Sequence, residues 1–192
     1  ENITFWEQTA SQYIETIYKD MMQNIYAGAL YKTGQHLKAG ELFAEMGDYN
    51  SLMTQYYKKR SFAAIKQEYQ QSPNAKTLPF LLQDFVNNAQ EAYDHDGFGK
   101  LFVRDISLSE AKQMMNFCKQ VVKEGKTESP ALWQSALSWL EYMFDSKEKA
   151  LSDIREACAM EGNEHMKDNA RVLHLYINAA LSPKGKEFDD WL

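Results

Sequence analysis

Apolar residues recur along this chain at spacings of three and four, and no long polar–apolar alternation is bounded by hairpin turns. That is the period of a helix with one buried face, not of a half-buried strand. Phe5, Trp6, Tyr13, Ile17, Met21, Ile25 and Tyr31 mark a first helical region, with a break expected near Gly28. Gly34 interrupts the pattern. Leu37, Leu42, Phe43 and Met46 mark the next helix, which Gly47-Asp48-Tyr49-Asn50 should end. Shorter helices are expected over 51–59 and from 61 or 62 to 70. Pro73 then breaks the chain, because proline lacks an amide donor and restricts the residue before it.

The second half reads more cleanly. Phe80, Leu81, Phe85, Val86 and Ala89 predict a helix over 77–93, followed by the polar, glycine-rich run Asp94-His95-Asp96-Gly97-Phe98-Gly99. Ser107 and Glu110 have capping-box spacing and should open a helix that Gly125 closes. Ser129-Pro130 is a cap residue followed by proline at the first helical position. The helix it starts carries Leu132, Trp133, Ala136, Leu137, Leu140 and Phe144; two more follow over 147–160 and 164–181. Roughly nine short helices joined by short turns place consecutive helices side by side and antiparallel. The expected class is all-α, an array of short antiparallel helix hairpins.

The stretch YKTGQHLKAGELFAEMGDYN, residues 31–50, reads as helix, turn, helix, turn. Ala27, Leu30, Gly34, Ala39 and Phe43 fall at the spacing of a tetratricopeptide-type repeat, and this region resembles that family. In that resemblance Ala27 and Ala39 are the small residues that let two helices approach, Leu30 and Phe43 pack around them, and Gly34 closes the first helix. His36 stands where the family commonly has tyrosine, Met46 replaces a small residue, and the closing proline is missing. A weaker echo lies at Ser138, Ala150, Ile154 and Ala157, with Asp145 in place of the inter-helix glycine. The likeness covers 21–59 and 130–160. The separation of Ala39 and Ala150 is not a whole multiple of the family's repeat of about 34 residues, and 61–129 shows no match.

The resemblance implies a single α-solenoid superhelix over 1–192 whose first helices line a concave, partner-binding face. The positions it assigns to that face are Met21, Asn24, Ile25, Gly28, Tyr31 and Lys32, then Leu132, Ser135, Ala136, Trp139, Tyr142 and Met143. Trp139 and Tyr142 would be the anchors. The function implied is a non-enzymatic scaffold for a protein or peptide partner. The rival readings are a structural or assembly module of a larger protein, and an all-α enzyme with a site near His165 or His95.

Charge and chemistry narrow these readings. The formal net charge is -6, and no basic stripe of the kind nucleic-acid binding requires is present. The compact run Lys58-Lys59-Arg60 reads as a solvated helix end. No apolar run is long enough to span a bilayer, so no membrane insertion is expected. The closing FDDWL, which stops without a helix-ending signal, predicts a natural chain that continues past Leu192, and no compartment follows from the sequence. His165 has acidic neighbours at helical spacing, Glu161 and Asp168. The run Asp94-His95-Asp96 lacks the later ligands of a calcium loop. No catalytic residue, metal site or cofactor is expected, and Cys118 and Cys158, set within apolar helical patterns, are expected to be buried free thiols.

Overall fold

The spacing of apolar residues becomes ten helices among the described residues of the computed structural model, which are 2–9, 12, 15–56, 61–95, 106–182 and 185. They are α1 Asn2–Thr9, α2 Lys19–Lys32, α3 His36–Glu45, α4 Tyr49–Tyr56, α5 Phe62–Gln71, α6 Leu78–His95, α7 Leu108–Glu124, α8 Pro130–Phe144, α9 Lys147–Ala159 and α10 Glu164–Leu181. The described chain is all-α.

Two boundaries differ from those read off the sequence. The first helical region does not break at Gly28, which lies inside α2; its interruption falls between Thr9 and Lys19. Buried Ala27 and Leu30 flank Gly28 and hold that turn by packing, which outweighs glycine's poor helix propensity. Asp94 and His95 extend α6 and do not open a loop, while 96–105 lie outside the described residues. The basic run 58–60 and the tail 186–192 lie outside them as well.

The helix ends follow local chemistry. Ser107 Oγ accepts from the Glu110 amide at 3.2 Å, as capping-box spacing predicts. The Glu110 carboxylate does not turn back on its own helix. It accepts from the Phe62 amide at 2.9 Å and so caps the start of α5. Ser61, Ser146 and Asn163 cap α5, α9 and α10 through side-chain oxygens. Gly34, Gly47 and Gly125, all expected at helix ends, hold left-handed backbone with φ of 83°, 69° and 63°. Only glycine adopts that conformation without a Cβ penalty.

The chain divides into two compact units, 1–60 with 75–80, and 61–74 with 81–192. In the first, α2 packs on α1 and α3, and α3 on α4. Its core holds Ala27, Leu30, Ala39, Phe43, Leu52 and Leu78. Trp6 stacks on Tyr26 with ring centroids 5.0 Å apart, joining α1 to α2. In the second, α8 packs against α7, α9 and α10, and α9 against α10. Tyr69, Phe117 and Trp133 meet edge to face at 5.4–5.8 Å and knit α5, α7 and α8. Ala150, Ile154, Ala157, Ala170 and Ile177 form a fully buried seam between α9 and α10. Ser138 donates its hydroxyl to the Ala150 carbonyl at 2.7 Å, which pins α8 to the start of α9.

Candidate functional site

In the second unit a cavity of about 280 Å³ opens between α6, α8 and α10. Leu82, Val86, Leu132, Ala136, Leu173 and Trp139 give it apolar walls, while Gln83, Asn87, Gln90 and Asn169 bring carboxamides to it. Among the described residues no Asp, Glu, Lys, Arg or His side chain lines it. Its hydrogen bonds are internal: Gln83 Nε2 donates to Asn87 Oδ1 at 2.8 Å, and Trp139 Nε1 donates to Gln90 Oε1 at 3.2 Å. Both carboxamide oxygens are engaged, so the amide nitrogens of Asn87 and Gln90 remain as donors. Ser135 lies beneath the same surface, its hydroxyl buried without a hydrogen-bond partner.

Four of the six α8 positions assigned to a binding face from the sequence, Leu132, Ser135, Ala136 and Trp139, line this cavity. The other two do not. Tyr142 is half-buried; it stacks parallel on Trp139 at 5.0 Å and meets Tyr176 edge to face at 5.9 Å. Burial first, then Tyr176 and Tyr93, raises its phenol above the ordinary range. Met143 is 8% exposed and belongs to the core. It points away from the groove because it stands one residue beyond Tyr142 on a helix buried on nearly every side. In the first unit, Met21, Ile25 and Tyr31 are exposed along one stripe of α2, at 54%, 49% and 39%. Asn24 and Lys32 are exposed on the same helix, with Asn24 Nδ2 turned back to the Asp20 carbonyl.

Periodicity alone missed two features. The groove walls from α6 and α10 were not assigned, because spacing along the chain does not say which helices become neighbours of α8. The other omission is Glu141. It is the only charged residue in the segment PALWQSALSWLEYMF, and an acid alone in so apolar a helix signals a buried charge. Its side chain is fully buried, and Lys119 Nζ on α7 lies 2.7 Å from its Oε1. Burial, then the Glu141 carboxyl, raises the Asp153 carboxyl on α9 above the usual carboxylate range.

The chemical alternatives assemble less. His165 contacts the Asn169 side chain at 3.4 Å, and its neighbour Asp168 instead pairs with Arg171 at 2.8 Å. Among the described residues no three His, Cys, Asp or Glu side chains converge to hold a metal ion. No described helix is long and apolar enough to cross a membrane. Cys118 is a buried free thiol, raised far above the ordinary range by burial; Cys158 is free and half-buried. The chain matches no family model, no curated protein and no solved structure.

Proposed function

We propose that the chain is a non-enzymatic scaffold, similar in plan to tetratricopeptide-type α-solenoids, that holds a protein or peptide partner in the groove between α6, α8 and α10. The carrying observation is that α6, α8 and α10, alternate helices in chain order and not sequential neighbours, wall this cavity. Stacked hairpins produce that arrangement when first helices line one face and second helices the other. The small residues behind the family likeness support it: Ala27, Ala39, Ser138, Ala150 and Ala157 are fully buried at helix contacts. The exposed α2 stripe of Met21, Ile25 and Tyr31 gives the first unit an apolar face of its own.

The groove falls slightly below the roughly 300 Å³ at which small-molecule sites begin. It suits one large apolar side chain of a partner with its adjoining peptide groups, which the Asn87 and Gln90 amides would meet. With no ionic side chain in the lining, binding should vary little with salt. A second reading, an assembly module, draws on the same helix: Val172, Leu175 and Tyr176 leave α10 with exposed apolar surface.

Selection from a random twelve-residue display library on the immobilised protein tests the proposal. Selected peptides should bind the native protein and lose at least about tenfold in affinity on Val172→Glu, which places a charge at the groove lip, while Lys123→Ala leaves binding unchanged. Peptides that bind Val172→Glu as well as the native chain would contradict it.

A further inference from the structure

Of the eleven large apolar side chains exposed among the described residues, five lie between 17 and 31: Ile17, Tyr18, Met21, Ile25 and Tyr31. Apolar residues gathered on one surface mark an interaction site, where scattered ones do not. Steps of three and four return to the same helix face, so Met21, Ile25, Gly28 and Lys32 of α2 fall in one line, with Tyr18 at its N-cap. Ala27 and Leu30, the buried residues of α2, lie on the opposite side, and α2 packs on α1 and α3. Gly28 is the gap in the exposed line: a Cβ built on it meets no atom within 4 Å. A glycine there weakens the helix and gives its own unit no packing in return. It leaves room for a second backbone to come close.

The two ends of this line differ in charge. Asp20, next to Met21, stands in the first turn of α2 and Lys32 in the last, and both are exposed. Laid antiparallel on a copy of itself, α2 sets Ile25 over the gap at Gly28 of the second copy. The same register lays Lys32 along Met21 of the second copy and brings its ammonium beside Asp20. A two-fold axis repeats both contacts. A parallel pair would set Lys32 against Lys32 and Asp20 against Asp20, which repel.

We propose that α2 is a self-association surface through which two copies of this chain pair antiparallel, with Ile25 seated over Gly28 and Asp20 matched to Lys32. The inference goes beyond the groove reading: it uses only the first unit, and neither stands nor falls with partner binding between α6, α8 and α10. The 14 residues of α2 span about 21 Å. A helix pair of that length lies at the small end of specific interfaces, so the dimer forms at high concentration and dissociates on dilution.

Sedimentation velocity of the full chain from about 5 to about 500 µM reads this equilibrium. The native chain should pass from monomer to dimer across that range, and Ile25→Lys should weaken pairing at least about tenfold. Charge variants identify the occupant. Asp20→Lys sets cation against cation at both ends of the pair, and Lys32→Asp sets anion against anion. Each alone should therefore pair at least about fivefold more weakly than the native chain. Mixed one to one, the two variants bring opposite charges together at both ends, and the mixture should pair with near-native affinity. The substituted side chains are exposed, and recovery in the mixture itself shows that both variants fold. A native chain that stays monomeric to the top of the range, Ile25→Lys pairing as tightly as native, or a mixture no tighter than either variant alone would overturn the inference.

Discussion

A single acid in the most deeply buried helix decides more about this molecule than any of its surface charges. Glu141 sits among Leu137, Ser138 and Leu140, all buried, and faces Lys119 from α7. Removing one partner of a buried pair leaves the other's desolvation uncompensated, at roughly 3–5 kcal/mol for a fully buried pair. Because Lys119 is half exposed, Lys119→Met should cost less, about 2 kcal/mol. The double variant Lys119→Met with Glu141→Gln should recover most of that loss, since the charge requiring the cation is gone. Urea unfolding midpoints of the two singles and the double measure this coupling. The buried charge was visible in the sequence as the lone acid of an apolar segment, but its partner was not. Lys119 comes from a different helix, and only packing brings it to Glu141.

At the scale of elements, the sequence showed what is local. Ser107 and Gly125 were expected to bound a helix and do, because a side-chain cap and a left-handed glycine act within one turn of their own position. The misplaced break at Gly28 shows the limit of propensity. Glycine disfavours a helix by about 1 kcal/mol, and burial of Ala27 and Leu30 on either side exceeds that. A Cβ added at Gly28 would meet no atom within 4 Å. Gly28→Ala should therefore stabilise the first unit by roughly 0.5–1 kcal/mol, read as a higher denaturant midpoint with unchanged slope. Gly125 is the opposite case, since its φ of 63° would strain any side chain placed there. The Glu110 carboxylate at the start of α5 was not legible either: capping-box spacing points it at its own helix, and tertiary packing gives it to another.

For the whole molecule, an all-α class follows from the periodicity of the chain, whereas the groove needed three helices to be placed in space. Leu132, Ser135, Ala136 and Trp139 were reached through family resemblance, and these line the cavity. Tyr142 and Met143 sit on the same helix, but one is held in an aromatic cluster and the other is buried. On a helix surrounded by α7, α9 and α10, apolar character cannot separate a groove residue from a core residue, because every face is apolar. The opposing walls, Val86 and Asn87 on α6 and Asn169 and Val172 on α10, depend on which helices become neighbours across the chain.

The most direct test is site-specific photo-crosslinking in cells that make the protein, with benzoylphenylalanine in place of Val172 at the groove lip and, as a control, in place of Lys123 at the exposed end of α7. The binding account predicts one crosslinked segment that recurs at Val172, is absent at Lys123, and binds the purified chain as a synthetic peptide with an affinity that Trp139→Ala reduces. Crosslinks that are scattered or equal at the two positions, or a segment that binds Trp139→Ala undiminished, would contradict the claim that this groove is where the molecule acts.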